Sequence, residues 1–145
     1  MNLFITGTDT GVGKTYVTSL ICEALAARGE RVAPFKPIAC GDRDDAKRLL
    51  AASQSEDLSL DDVNPIHLKT PAAPLAASMI EGCEIDIDQL ADHVFELAKN
   101  ADHVIVEGVG GWEVPVTADQ SLSDLAAKLD YPVVVVVDNK LGALN

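Results

Sequence analysis

The sequence predicts an α/β fold, a mostly parallel sheet with helices on both faces, and three observations carry that expectation. Short runs that are apolar throughout alternate with longer segments whose apolar residues recur at helical spacing, the pattern of strands buried on both sides. The first of these runs enters a glycine-rich loop directly before a helical segment. The chain of 145 residues is 48% apolar and 23% charged but only 4% aromatic, an aliphatic composition that suits this class and argues against disorder. That length is one domain's worth, able to bury roughly two thirds of its unfolded surface, so residues 1–145 are expected to form a single domain.

Taken in order, "NLFIT" (Asn2 to Thr6) reads as a strand. After Lys14, the positions Val17, Leu20, Ile21 and Ala24 keep helical spacing up to Gly29, a C-cap residue. "RVAPFKP" is the second strand; Pro34 is awkward within it, and Pro37 keeps Lys36 out of helical conformation, which places that lysine at a strand end. "DDAKRLLAAS" is a helix, while Asp57 to Pro74 is polar, interrupted by proline and mostly connection. Helical period returns through Ile87, Leu90, Ala91, Val94 and Ala98, and "HVIVEG" is a buried strand ending in an acid. "SLSDLAAKLD" is a capped helix, and "YPVVVVVD" the strand after it. Met79 and Trp112 read as packing residues, and His67, His93 and His103 lack ligand spacing.

Composition narrows the partners. A net charge of −12 opposes adsorption to nucleic acid or to an anionic membrane, so an anionic ligand must be held by a local positive site. Cys22, Cys40 and Cys83 show neither C-x-x-C nor Cys/His spacing, which argues against a disulfide framework or zinc and for a reducing cytoplasm. The N-terminus has no basic segment before its apolar run, and the longest aliphatic run, Val133 to Val137, is too short to span a bilayer.

The chemistry gathers in three segments. "GTDTGVGKT" ends as a phosphate loop does, although Gly7 lies one residue too far from Gly13 for the G-x-x-x-x-G-K-S/T spacing. The backbone N–H groups of Gly11, Val12, Gly13, Lys14 and Thr15 can form a nest for phosphate at a helix N-terminus. Lys14 would reach the outer phosphates and Thr15 would bring its hydroxyl to Mg²⁺; an ordinary glycine turn with a surface lysine is the weaker reading. "KPIACG" sets Lys36 at the edge where open parallel sheets bind ligands, with Cys40 as a small hydrophobe. "VIVEGVGGW" delivers Glu107 to that same edge, as a partner for Mg²⁺ or as a helix cap or solvated carboxylate. Asp44 and Asp45 stand at a helix start, where they could cap it or add a metal ligand.

These segments, together with "DDA", "PAAPLAA" and the terminal "NKLGALN", occur in an order and at separations that resemble the dethiobiotin synthetase family, whose phosphate loop has the form G-T-D-T-x-V-G-K-T. The resemblance implies a P-loop NTPase-like fold and an enzyme using ATP and Mg²⁺. Its reaction closes a ring on a small-molecule diamine, 7,8-diaminononanoate, with CO₂: a carbamate forms and attacks the γ-phosphate, and the second amine then attacks the carbonyl carbon of the resulting carbamic-phosphoric anhydride and displaces phosphate. It also implies that Lys14, Lys36 and Thr10 act at the reacting groups, that Thr15, Asp45 and Glu107 hold Mg²⁺, and that Gly110 meets the substrate through its backbone. The family's homodimer would grip the substrate carboxylate across its interface through Leu141 and Asn145. Cys40 stands where the family has serine; its thiol is a weaker hydrogen-bond donor than a hydroxyl, and the charge of Lys36 beside it should favour the thiolate. Family members continue beyond the position of Asn145 into the adenine-binding loop, so this segment is expected to be missing here. The rival readings are another P-loop ligase or amidotransferase, such as a cobyric acid synthase-like domain, and a nucleotide-regulated binding module.

Overall fold

Within each apolar run, alternation decides which side of the sheet a residue faces. In the computed structural model, which describes residues 1–140, the chain runs β1 (Leu3–Gly7), α1 (Lys14–Ala26), β2 (Val32–Phe35), β3 (Ile38–Cys40), α2 (Asp44–Ser53), α3 (Leu60–Val63), β4 (Ile66–Leu68), α4 (Pro74–Glu81), α5 (Ile87–Ala98), β5 (His103–Glu107), α6 (Leu122–Leu129) and β6 (Val133–Val136). Four strands form a parallel sheet in the order β2-β5-β1-β6, with Phe4 opposite Val106 and Phe35 opposite the same residue from the other side. Phe4, Ala33, Phe35, Val104 and Val106 point to one face, where they meet Leu90 and Val94 of α5 and Leu122 and Leu125 of α6. Ile5, Val32 and Ile105 point to the other, against Cys22 and Leu25 of α1 and Ala52 of α2. Helices therefore cover both faces, as the alternation predicts. Full burial of a side chain such as Phe4 or Phe35 contributes about 1.5–3 kcal/mol.

The irregular positions fit this arrangement. Pro34 is accommodated because β2 is an edge strand, paired on one side only, with Pro34 opposite Ile105. Asp86 caps α5 by accepting hydrogen bonds from the N–H groups of Asp88 (2.8 Å) and Gln89 (3.2 Å), and Ser121 with Asp124 forms the capping box of α6. His93 packs its ring against Phe35, with centroids 5.2 Å apart.

The structure differs from the sequence reading in three places. The stretch expected to be connection contains α3 and β4, and β4 pairs with β3 as a separate two-stranded parallel sheet. Elements of three and four residues are too short to show a period, so they left no pattern to read. Beyond them, α4 buries Pro74, Ala77 and Ser78 and turns Met79 outward at 75% exposure, which corrects the expectation that Met79 packs. Trp112 meets Phe4 edge-on with centroids 6.2 Å apart, yet remains exposed. On β6, Val133 and Val135 are exposed, so this strand is not buried on both faces among the described residues. No helix among these residues is long and apolar enough to cross a membrane.

Candidate active site

All strands of a parallel sheet end at the same edge, and three of these ends carry the chemistry. β1 runs into the phosphate loop, β2 is followed at once by Lys36, and Glu107 is the last residue of β5. Gly13 occupies the N-cap position of α1 with φ +101°, a left-handed conformation that a side chain would strain. Neither a side-chain cap nor an acid in the first turn occupies the start of α1, which leaves its N–H groups and the positive end of its dipole open to an anion. Lys14 is nearly buried, and its Nζ donates to the carbonyl of Asp9 at 2.7 Å, across the mouth of the loop. Burial, and then the charge of Lys36, push the Lys14 ammonium below the usual lysine range.

Below the loop lies a compact charged cluster. Glu107 is 0% exposed, and its Oε1 accepts from Lys36 Nζ at 2.6 Å and from Thr15 Oγ1 at 2.8 Å. Lys36 also donates to Asp45 Oδ2 at 3.2 Å and to the carbonyl of Gly108 at 3.3 Å. The second carboxylate oxygen, Oε2, is buried without a hydrogen-bond partner. A buried anion with one bare oxygen is costly unless something else meets it. Thr15, Asp45 and Glu107 offer hard oxygen donors, the kind Mg²⁺ takes from one or two carboxylates when phosphate and water supply the rest. The residues present fit that ion.

Asp44 and Asp45 are not caps. Asp42 Oδ1 accepts from the N–H of Asp44 at 3.0 Å, Asp44 pairs with Lys47 at 2.9 Å, and Asp45 turns to Lys36. Thr10 and Gly110 are brought together: a Cβ on Gly110 would stand 3.9 Å from Thr10 Oγ1 and only 2.9 Å from a methyl of Val114. With φ +62° as well, that position accepts little beyond glycine. Leu141 and Asn145 lie outside the described residues.

Cys40 requires a correction. It ends β3, half-buried, and its thiol is pushed above the usual cysteine range by burial first and Glu81 second, against the opposing pull of Lys36. The lysine does pull toward the thiolate as expected, but burial and the charge of Glu81 outweigh it, so the thiol form is the favoured one.

Two residues at this edge carry no motif and escaped the sequence reading. Asn64 is 0% exposed and donates through Nδ2 to the carbonyls of Lys36 (2.8 Å) and Ile66 (3.0 Å). Its Oδ1 accepts from Arg43 Nε at 2.9 Å. Nothing in local spacing marks either one. A cleft of about 680 Å³ opens at the opposite end of the sheet, lined in part by Glu30, Arg31, Ser53, Glu56 and Asp57, and no phosphate-loop residue borders it.

A glycine loop between a parallel strand and a helix N-terminus, with a lysine, a threonine and an acid converging on it, defines a P-loop protein. The AAA domain family matches residues 1–145. The ATP-dependent dethiobiotin synthetase BioD of Akkermansia muciniphila is 46% identical over 99% of this chain and 67% of its own length. That of Vibrio parahaemolyticus is 41% identical over 98% and 65%. Among solved structures, the signal recognition particle receptor FtsY from Elizabethkingia anophelis superposes with a TM-score of 0.49 at 17% identity, over 99% of this chain and 44% of that one. The chain belongs to the dethiobiotin synthetase family, and it spans about two thirds of the length of the relatives it matches.

Proposed function

We propose that this chain carries the phosphoryl-transfer centre of an ATP-dependent dethiobiotin synthetase, which joins CO₂ to 7,8-diaminononanoate and closes the ring through a carbamate and a carbamic-phosphoric anhydride. The observation that carries this reading is the meeting of Lys36, Thr15 and Glu107 within hydrogen-bond distance beneath the phosphate loop. Nucleotide binding alone needs the loop and Lys14. A second buried lysine at the same edge is what an incoming anion requires, since two negatively charged reactants must approach each other.

In this reading the open N–H groups of Gly11 to Thr15 take the phosphates, and Lys14 leaves the Asp9 carbonyl for them. Mg²⁺, held by Thr15, Asp45 and Glu107, would neutralise charge on the transferring phosphoryl group. Lys36 stabilises the carbamate as it attacks, Thr10 stands beside the reacting groups, and Gly110 offers its backbone to the substrate. Cys40 lines the far side of Lys36. The protein works in the cytoplasm as a single P-loop domain in a homodimer, its substrate site shared across the interface through Leu141 and Asn145.

The test is formation of dethiobiotin from the diamine, CO₂, ATP and Mg²⁺, leaving out each in turn, with this chain and with one carried to the full length of its relatives. Product is expected only when all four are present. Nucleotide hydrolysis indifferent to the diamine in both chains would overturn the reading.

A further inference from the structure

The backbone around Lys36 is where the fold changes sheets. Phe35 still pairs with Val106 in the four-stranded sheet, and Ile38 already pairs with Ile66 in the two-stranded one. Between them, Pro37 has no N–H to give, and Lys36 belongs to neither ladder. Both of its backbone groups are nevertheless met from one short segment. The N–H of Lys36 donates to Val63 O at 2.7 Å, and its carbonyl accepts from Asn64 Nδ2 at 2.8 Å. Asn64 is in turn held by Arg43, whose Nε reaches its side-chain oxygen at 2.9 Å and whose Nη2 reaches its carbonyl at 2.6 Å and that of Leu60 at 3.0 Å. Arg43 is the residue before α2, two positions ahead of Asp45.

We propose that Asn64, clamped by Arg43, is a positioning residue: it sets the Lys36 ammonium and the start of α2 in one register, so that the lysine lies between Asp45 and Glu107. The inference rests on the synthetase reading for what Lys36 does, but the geometry is independent of it. An asparagine is suited to this place because it gives two N–H bonds to two carbonyls, that of Lys36 lying outside both ladders, and still accepts from the guanidinium. Aspartate has nearly the same shape and keeps the Arg43 contact, but it loses both donors.

Two variants test the clamp, Asn64→Asp and Arg43→Met, with thermal unfolding used to select those that fold; Arg43→Met carries the test if Asn64→Asp does not. The first readout is the side-chain ¹⁵N–¹H signal of the Lys36 ammonium, identified by its loss in Lys36→Arg. It should shift or broaden in either variant, while the Lys14 signal and ATP affinity stay within twofold of the parent. The second is a double-mutant cycle on diamine-dependent kcat: a loss of at least tenfold in the parent background, and less than twofold once Lys36 is already alanine. A residue that merely supports the fold would lower kcat by the same factor in both backgrounds. That result, or an unchanged Lys36 signal in a folded variant, overturns the proposal. If the parent shows no diamine-dependent turnover, the synthetase reading fails while the ammonium signal still decides the clamp.

Discussion

Lys14 and Lys36 arrive at the same edge of the sheet from two regions built on different principles. The phosphate loop holds its lysine by contacts along the chain: Lys14 reaches a carbonyl five residues back, and the left-handed Gly13 fixes the turn between them. The β2–β3 junction holds its lysine by contacts across the fold, with Glu107 71 residues away and Asn64 28 residues away. The first region sets its lysine through near neighbours in the chain. The second is an assembly that exists only when three separate segments have docked. Phosphate recognition and placement of the second lysine are therefore separable properties, and variants should reveal them separately.

The largest effect should come from the two lysines themselves. Lys36→Ala should lower diamine-dependent turnover by about 2–4 kcal/mol in transition-state stabilisation with little change in ATP affinity, whereas Lys14→Ala should weaken ATP binding. Calorimetric titration beside steady-state kinetics separates the two, and a shared loss in one constant would break the comparison. Next, Lys36→Met removes the cation that now neutralises Asp45 and Glu107, so Mn²⁺ should bind nucleotide-free protein about tenfold more tightly, as read by electron paramagnetic resonance. Unchanged or weaker binding would show that lysine and metal do not share these carboxylates. Thiol labelling sharpens the contrast between burial and charge. Exposed Cys83 should react first, half-buried Cys40 more slowly, and Cys22, pushed up to about 12 by burial, only on unfolding.

The smallest effect lies at the opposite end of the same strands. Arg31 grips Asp102 with two side-chain bonds and its own N–H, holding the Asp102 carboxyl at about 2 against an ordinary value of 3.8. A depressed carboxylate contributes stability that is present above pH 3.8 and is lost as pH falls through about 2. Urea midpoints of the parent and Asp102→Asn should thus differ slightly at pH 6 and converge between those two values. Turnover at pH 7 should not change.

What the sequence made legible follows the same division. The phosphate loop, the strand ending in Glu107 and the order of the long helices could be read because each is a local pattern of five or more residues. Lys36 was placed by a single neighbour, Pro37. Its clamp was not legible, because Arg43 and Asn64 acquire their meaning only when β4 lies beside β3. The expected thiolate at Cys40 failed for a related reason: adjacency to Lys36 along the chain said nothing of how far burial and Glu81 would outweigh it. Met79 failed because α4 turns that side chain outward, which composition alone does not show.

The sheet-changing step at Lys36 also has a bearing on the order of events as the chain folds. Contacts between distant residues carry a loop-closure cost that nearby ones avoid, and they form correspondingly late. The contact that holds Lys14 lies within β1, the loop and α1, all complete by Ala26; Lys36 must wait for the segment around Asn64 and then for the strand that ends in Glu107. In refolding experiments the protein should thus acquire a grip on triphosphate before it acquires the second lysine, with the reactive half of the site maturing last.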